Sequence, residues 1–218
     1  MSKLVWDQTS EKLFETGVEQ VALYKQVSGA YPAGVAWNGV TALNISPSGA
    51  EPTPLYANDS KYLNLMSNEE LGYAIEAYTY PEEWEECDGS AEAATGVYLG
   101  QQPRTKFGLA AKTLIGNDTE GTAHGYKLHL FYGCIASPAE ESHATTNDSP
   151  EAITFSWTVN TEPVAVAGHK PTSYICIDST KADPSKLAAL EAILYGSESQ
   201  EAKLPLPSEI ITTMTAAG

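Results

Sequence analysis

Ile153-Thr-Phe155-Ser-Trp157-Thr-Val159-Asn160 alternates without a break, apolar at odd positions and polar at even ones. A period of two puts the apolar set on one face of an extended chain, so the stretch reads as a half-buried β-strand. Tyr126-Lys-Leu128-His-Leu130-Phe-Tyr132 repeats the pattern and breaks it only at Phe131. Residues 18–24, 40–45, 107–115 and 174–178 are further strand candidates, set apart by clusters of Gly, Pro, Asn and Asp. Residues 117–125 lie between two of these patterns and read as a long hairpin connection. Most of the chain is therefore expected to be β-structure.

Residues 67–80 carry two signals. Ser67-Asn-Glu-Glu70 has the form of a helix-starting capping box. Leu71, Tyr73, Ile75 and Ala77 alternate, which favours a strand, and the strand is the assignment taken. Pro81 and the acids up to Cys87 suit a short helical turn. One longer helix is explicit near residues 184–195. Asp183 can cap it, Pro184 takes the first helical position and Gly196 follows its end. Leu187, Leu190 and Leu194 form a stripe that a sheet or another subunit must cover.

Two segments look like arms. Residues 46–60 are rich in Pro and small polar residues and read as an extended loop, long for a compact domain. Residues 204–218 begin Leu-Pro-Leu-Pro and show no helical period, so they read as an extended C-terminal arm. With 218 residues and no internal repeat, the whole of 1–218 is read as a single domain. A compact globule of 23.3 kDa would expose about 9,700 Å².

Charge excludes more than it identifies. The chain has 28 acidic against 12 basic residues, a formal net charge of −16, and Arg104 as its one arginine. Tight binding to a phosphate backbone needs clustered cations, so specific nucleic-acid binding and docking on anionic membranes are disfavoured. Nine acids fall between Lys61 and Arg104, from Glu69 to Glu92, with no Lys or Arg among them. That run is a solvated acidic face or a surface built to repel a polyanion. The N-terminus lacks the apolar stretch of a signal peptide, and the three Cys are far apart, which fits a reducing cytoplasm.

Chemistry is hard to find. No Gly-x-Ser-x-Gly, phosphate loop or His-Glu-x-x-His occurs. His124, His129, His143 and His169 are scattered and expected to be solvated. Cys87, Cys134 and Cys176 are expected to be small buried hydrophobes. Glu82, Glu83, Glu85 and Glu86 sit too close on one turn to face each other across a sugar. The expectation is no enzyme, no cofactor and no metal site. Asn-x-Ser/Thr sequons at Asn44, Asn58, Asn117 and Asn147 are read as chance.

The stretch Trp37-Asn-Gly-Val-Thr-Ala-Leu-Asn-Ile-Ser-Pro-Ser-Gly-Ala-Glu-Pro-Thr-Pro-Leu-Tyr-Ala-Asn-Asp59 takes the reading further. With Lys61-Tyr-Leu-Asn-Leu-Met-Ser67, Glu76-Ala-Tyr-Thr-Tyr-Pro-Glu-Glu-Trp-Glu-Glu-Cys-Asp-Gly89 and Gly100-Gln-Gln-Pro-Arg-Thr-Lys-Phe-Gly-Leu109, it resembles the major tail proteins of siphophages that infect Gram-positive bacteria. The resemblance runs over nearly the whole chain and rests on extended similarity. It implies a β-sandwich of tail-tube type with a flanking helix, the 184–195 segment. It implies hexameric rings stacked into a hollow tube through which DNA is ejected, with tape-measure, initiator and terminator proteins as further partners. It implies residence in the virion tail after synthesis in the host cytoplasm, and DNA passage without specific binding. It also implies inter-subunit contacts by the loop and the terminal arm, here Pro47, Glu51, Pro52, Pro54, Leu55, Tyr56, Leu206 and Pro207. Lumen-facing residues are not assigned by it. The alternative is a secreted carbohydrate-binding β-sandwich domain, with Trp6, Trp37, Trp84 and Trp157 as a sugar-stacking platform and the sequons as its support.

Overall fold

The computed structural model describes residues 3–145 and 152–215. Asn147 and the end of the C-terminal arm lie outside them. In chain order the elements are β1 (Phe14–Lys25), β2 (Gly34–Ala36), β3 (Val40–Ile45), β4 (Ser48–Gly49), β5 (Pro52–Ala57), β6 (Ser60–Met66), β7 (Glu69–Glu70) and β8 (Gly72–Ala77). There follow α1 (Trp84–Asp88), β9 (Ala91–Ala94), β10 (Val97–Leu99), β11 (Phe107–Asn117), β12 (Gly121–Ala136), β13 (Phe155–Thr161), β14 (Tyr174–Asp178), α2 (Pro184–Tyr195) and α3 (Pro207–Thr215). The protein is mainly β, with antiparallel pairing throughout.

One large sheet runs β2-β1-β11-β12-β13-β8-β3, with β14 also on β12. The long β12 makes this branching possible. Its residues Lys127 to Phe131 pair with β14, and Cys134 to Ala136 pair with β13. Between them the register against β11 slips, from Leu109↔Phe131 to Phe107↔Cys134. Gly133 sits in this bulge at φ 60°, and a Cβ there would fall 2.2 Å from the Glu162 carbonyl oxygen. Only glycine meets both demands.

The bulge lets the sheet fold over an interior lined by β1, β8, β11, β12 and β13. Its centre is aromatic. Trp84 lies with its ring centroid 4.6 Å from Trp37 and 5.1 Å from both Phe107 and Trp157. From Phe155 on, the odd residues behave as the alternation requires, with Trp157 and Val159 buried and Phe155 packed against the cluster; Ile153 lies before the strand and is exposed. In β8, Tyr73, Ile75 and Ala77 are buried and the residues between them are not. The strand assignment for that stretch holds, and the helical turn after Pro81 appears as α1.

A second core lies on the outer face of β1, β11, β12 and β14, beneath α2 and α3. Asp183 Oδ1 accepts from the main-chain N–H of Ser185 (2.9 Å) and Lys186 (3.1 Å), capping α2 as expected. Leu187, Leu190 and Leu194 are buried against Leu128, Leu130 and Tyr132. Lys112 Nζ reaches from the sheet to within 3.0 Å of Glu191 Oε1 and lies over the Tyr126 ring. Phe131 breaks its strand's alternation because β12 is covered on both faces. Its even neighbours meet the helices, while Phe131 joins the aromatic interior, 4.5 Å from Tyr73.

Three expectations are corrected. Residues 46–60 are not an irregular loop but part of an excursion built as two strand pairs, β4–β7 and β5–β6. Residues 204–215 are not an extended arm. Leu204 is buried and bridges to Tyr31, and residues from Pro207 form α3, whose Ile210 is buried. The 117–125 connection is short, since Asn117 already pairs with Gly121 and its side chain closes the turn through Thr119 N–H. The hairpin β9–β10 carries no alternation strong enough to have been assigned.

Candidate assembly surface

The β5–β6 hairpin is the most distinctive surface feature. It turns through Asn58 and Asp59 at φ 50° and 58°, the pair of positive dihedrals of a tight hairpin turn that Asn and Asp tolerate. The Ser60 hydroxyl donates to the Ala57 carbonyl at 3.1 Å. Its base is fixed by Ser48↔Glu70 and Gly49↔Glu69, and by the Ala50 N–H donating to Ser67 Oγ at 3.0 Å. Pro52 and Pro54 have the same parity, opposite Met66 and Asn64. The ladder survives two prolines because both missing N–H groups point to the free edge.

Every residue of both strands is exposed. The apolar content is large nonetheless: Tyr56 is 71% exposed, Tyr62 72%, Met66 69% and Leu65 55%. Of the expected contact residues, Pro47, Glu51, Pro52, Pro54, Leu55 and Tyr56 are gathered on this excursion and exposed. Leu206 and Pro207 are elsewhere. Leu206 packs against the helix-side core and Pro207 is buried, so both are engaged within the protomer. Reading by sequence missed the β6 side chains, the exposed Val97-Tyr98-Leu99 of β10 and the exposed Leu4 and Val5 beside Trp6, which is exposed as well. The first group was visible as apolar residues just past the Pro-rich stretch.

The face of β3, β8 and β13 turned away from the aromatic interior is polar. Ser156, Thr158 and Asn160 are exposed on it, and Asn44 Nδ2 donates to Glu76 Oε1 at 3.1 Å. Two acids of α1, which packs on the side of the aromatic interior, are used structurally. Glu86 pairs with Lys25 at 3.0 Å, and Asp88 accepts from Trp157 Nε1 at 3.2 Å and lies 3.6 Å from Arg104. Burial raises the Asp88 carboxyl, and the Trp157 hydrogen bond and Arg104 oppose it.

The sulfur and imidazole groups divide by burial. Burial pushes the thiols of Cys87 and Cys134 up to about 12, far from a reactive thiolate. Cys176, expected to be buried, is exposed. His129, expected to be solvated, is half-buried between Thr113 Oγ1 (2.8 Å) and the Tyr174 hydroxyl (2.6 Å), and burial lowers its pKa. His124 lies within β12 and contacts Glu120 at 2.6 Å. Among the described residues no group of three His, Cys, Asp or Glu could hold a metal ion. No helix there is long and apolar enough to cross a membrane. Trp37, Trp84 and Trp157 are buried, so they form no sugar platform.

No protein-family model matches the chain, and no curated protein matches it. Among solved structures, a chain from the six-fold symmetrised baseplate of the anti-feeding prophage, determined by cryo-electron microscopy, is similar at 8% identity and a TM-score of 0.37. That similarity spans 82% of this chain and 99% of the other.

Proposed function

We propose that the protein is a structural, non-catalytic subunit that polymerises with copies of itself, as a phage tail-tube protein whose hexameric rings stack into a conduit for DNA. One observation carries this reading. The β5–β6 hairpin projects large apolar side chains that no described residue of its own protomer covers. An isolated two-stranded hairpin is marginal in water, so such a structure calls for a partner. The extended resemblance of residues 37–109 to tail-tube subunits supplies the kind of partner, another copy of the chain.

In this reading the polar face of β3, β8 and β13 lines the lumen. It presents Ser156, Thr158, Asn160 and the Glu76 carboxylate, small and neutral or negative groups that give a polyanion no cation to grip. The tube, tape-measure, initiator and terminator proteins are the partners, and the virion tail is the location. Negative-stain electron microscopy of the purified protein at high concentration tests the proposal. Hollow rods or six-fold rings are expected. A protein that stays monomeric, even with its initiator present, and that binds glycans would overturn it.

A further inference from the structure

The structure holds an open strand edge beside an apolar groove. β14 is bonded to β12 on one side. The Tyr132 N–H donates to the Ser173 carbonyl and the Ser179 N–H to the Tyr126 carbonyl. By the alternation of an antiparallel ladder, Ile175 and Ile177 also turn their main-chain groups to β12. Tyr174, Cys176 and Asp178 therefore turn theirs outward. The Tyr174 carbonyl accepts from the Thr172 hydroxyl, and the Asp178 carbonyl accepts from Lys181 and Ala182 N–H groups. Cys176 is left with both N–H and C=O facing out. Next to this edge, between β14 and α3, runs a groove of about 570 Å³. Its floor is apolar, with Ile175, Ile177, Ile211 and Met214, and Lys170 and Lys181 stand on its rim.

We propose that the β5–β6 hairpin of one copy adds its β6 edge to β14 of a second copy and lays its apolar side chains into this groove. The proposal rests on the self-assembly reading above and names the surface that receives the hairpin. Three observations select this occupant. First, the hairpin has one usable edge. Pro52 and Pro54 strip donors from the outer side of β5, so a new strand can pair only with β6. Second, β6 carries large apolar side chains on both faces, with Leu63 and Leu65 on one and Tyr62 and Met66, either side of Asn64, on the other. A strand of that kind is suited to burial on both sides, as between a sheet edge and a helix. Third, the charges are complementary. The excursion carries Glu51, Asp59, Glu69 and Glu70 against Lys61, while the groove rim offers Lys170, together with Lys181, which is paired with Asp178 at 3.4 Å, in a chain that has only 12 Lys and Arg.

Cys176 provides the test, because it is exposed on the open edge of β14, its side chain on the face opposite Ile175 and Ile177, while Cys87 and Cys134 are buried. Copies carrying Cys176→Ser together with Tyr62→Cys, Leu63→Cys, Asn64→Cys or Leu65→Cys are each mixed with wild-type copies. The mixtures are assembled and oxidised with copper phenanthroline. Covalent dimers are expected from hairpin positions in an alternating pattern, and none when both copies carry Cys176→Ser. Val5→Cys in the Cys176→Ser background serves as the competing probe. Rods that form normally but yield no dimer from any hairpin position would overturn the docking and leave the tube reading standing. Dimers from Val5→Cys alone would give the groove to the N-terminal segment and likewise overturn it. A protein monomeric under every condition would overturn both readings.

Discussion

Trp84 shows how single residues hold this fold. It is fully buried with Trp37, Phe107 and Trp157 around it, so its removal leaves a cavity that the sheet folded over it cannot close. Trp84→Ala should lose about 3–5 kcal/mol, read as a lower urea midpoint with little change in slope. His129 acts through pH. It is neutral between Thr113 and Tyr174, with Glu15 favouring its charged form and Lys127 opposing it. Burial depresses its folded-state pKa below the usual value of about 6.5. Its stabilising contribution is therefore complete above about pH 6.5 and is lost as pH falls through the folded-state value. Urea titrations at a series of pH values should show stability falling on acidification, with a shallower fall in His129→Gln. Equal slopes in both proteins would remove His129 from the account.

Elements differ in how much of their stability is local, and this decides which were legible. α2 was readable because its signals sit within its own span: the Asp183 cap, Pro184 and the leucine spacing. α3 was not. Thr212, Thr213 and Thr215 turn their hydroxyls back to the helix carbonyls, a weak local case for a helix. What holds α3 is tertiary. Ile210 is buried in the helix-side core with Met214 packed against it, and Lys186 Nζ of α2 donates to the Met214 carbonyl at 3.2 Å. Ile210→Ala should cost about 2–4 kcal/mol by thermal or urea unfolding. The β5–β6 hairpin was hidden for the opposite reason. Its prolines read as strand breakers unless the strand lies on an edge, and edge position is information that local sequence does not contain. Because the hairpin buries nothing, excising residues 52–66 and closing Ser48-Gly49 to Glu69-Glu70 with a short turn should leave the urea midpoint nearly unchanged while abolishing rods. Hydrogen exchange should be fast across 52–66 and slow in β11 and β12; a large loss of stability on excision would make the hairpin part of the core.

At the scale of the whole molecule, two quantities oppose each other. The free chain exposes 13794 Å², against about 9,700 Å² for a compact globule of its 23.3 kDa. The surplus reflects projecting parts such as the hairpins and the Leu4-Val5-Trp6 segment, and burying it favours association. Every copy also carries a formal charge of −16, so packing copies together costs electrostatic work. Salt distinguishes the terms. At about 0.01 M the Debye length is near 30 Å and whole subunits repel; at about 0.15 M it is near 8 Å and only contacts within an interface are felt. The attraction between Lys170 or Lys181 and the hairpin acids is also screened, but exposed pairs of this kind contribute only about 0–1 kcal/mol each. Repulsion is the larger charge term, and apolar burial is not weakened by screening. Assembly should therefore be promoted as sodium chloride rises from about 0.01 M to 0.15 M, seen in sedimentation velocity as a shift from slow monomer to fast polymer at one protein concentration. Rods that dissolve over that same range would mean that ion pairs, rather than buried apolar surface, hold the copies together.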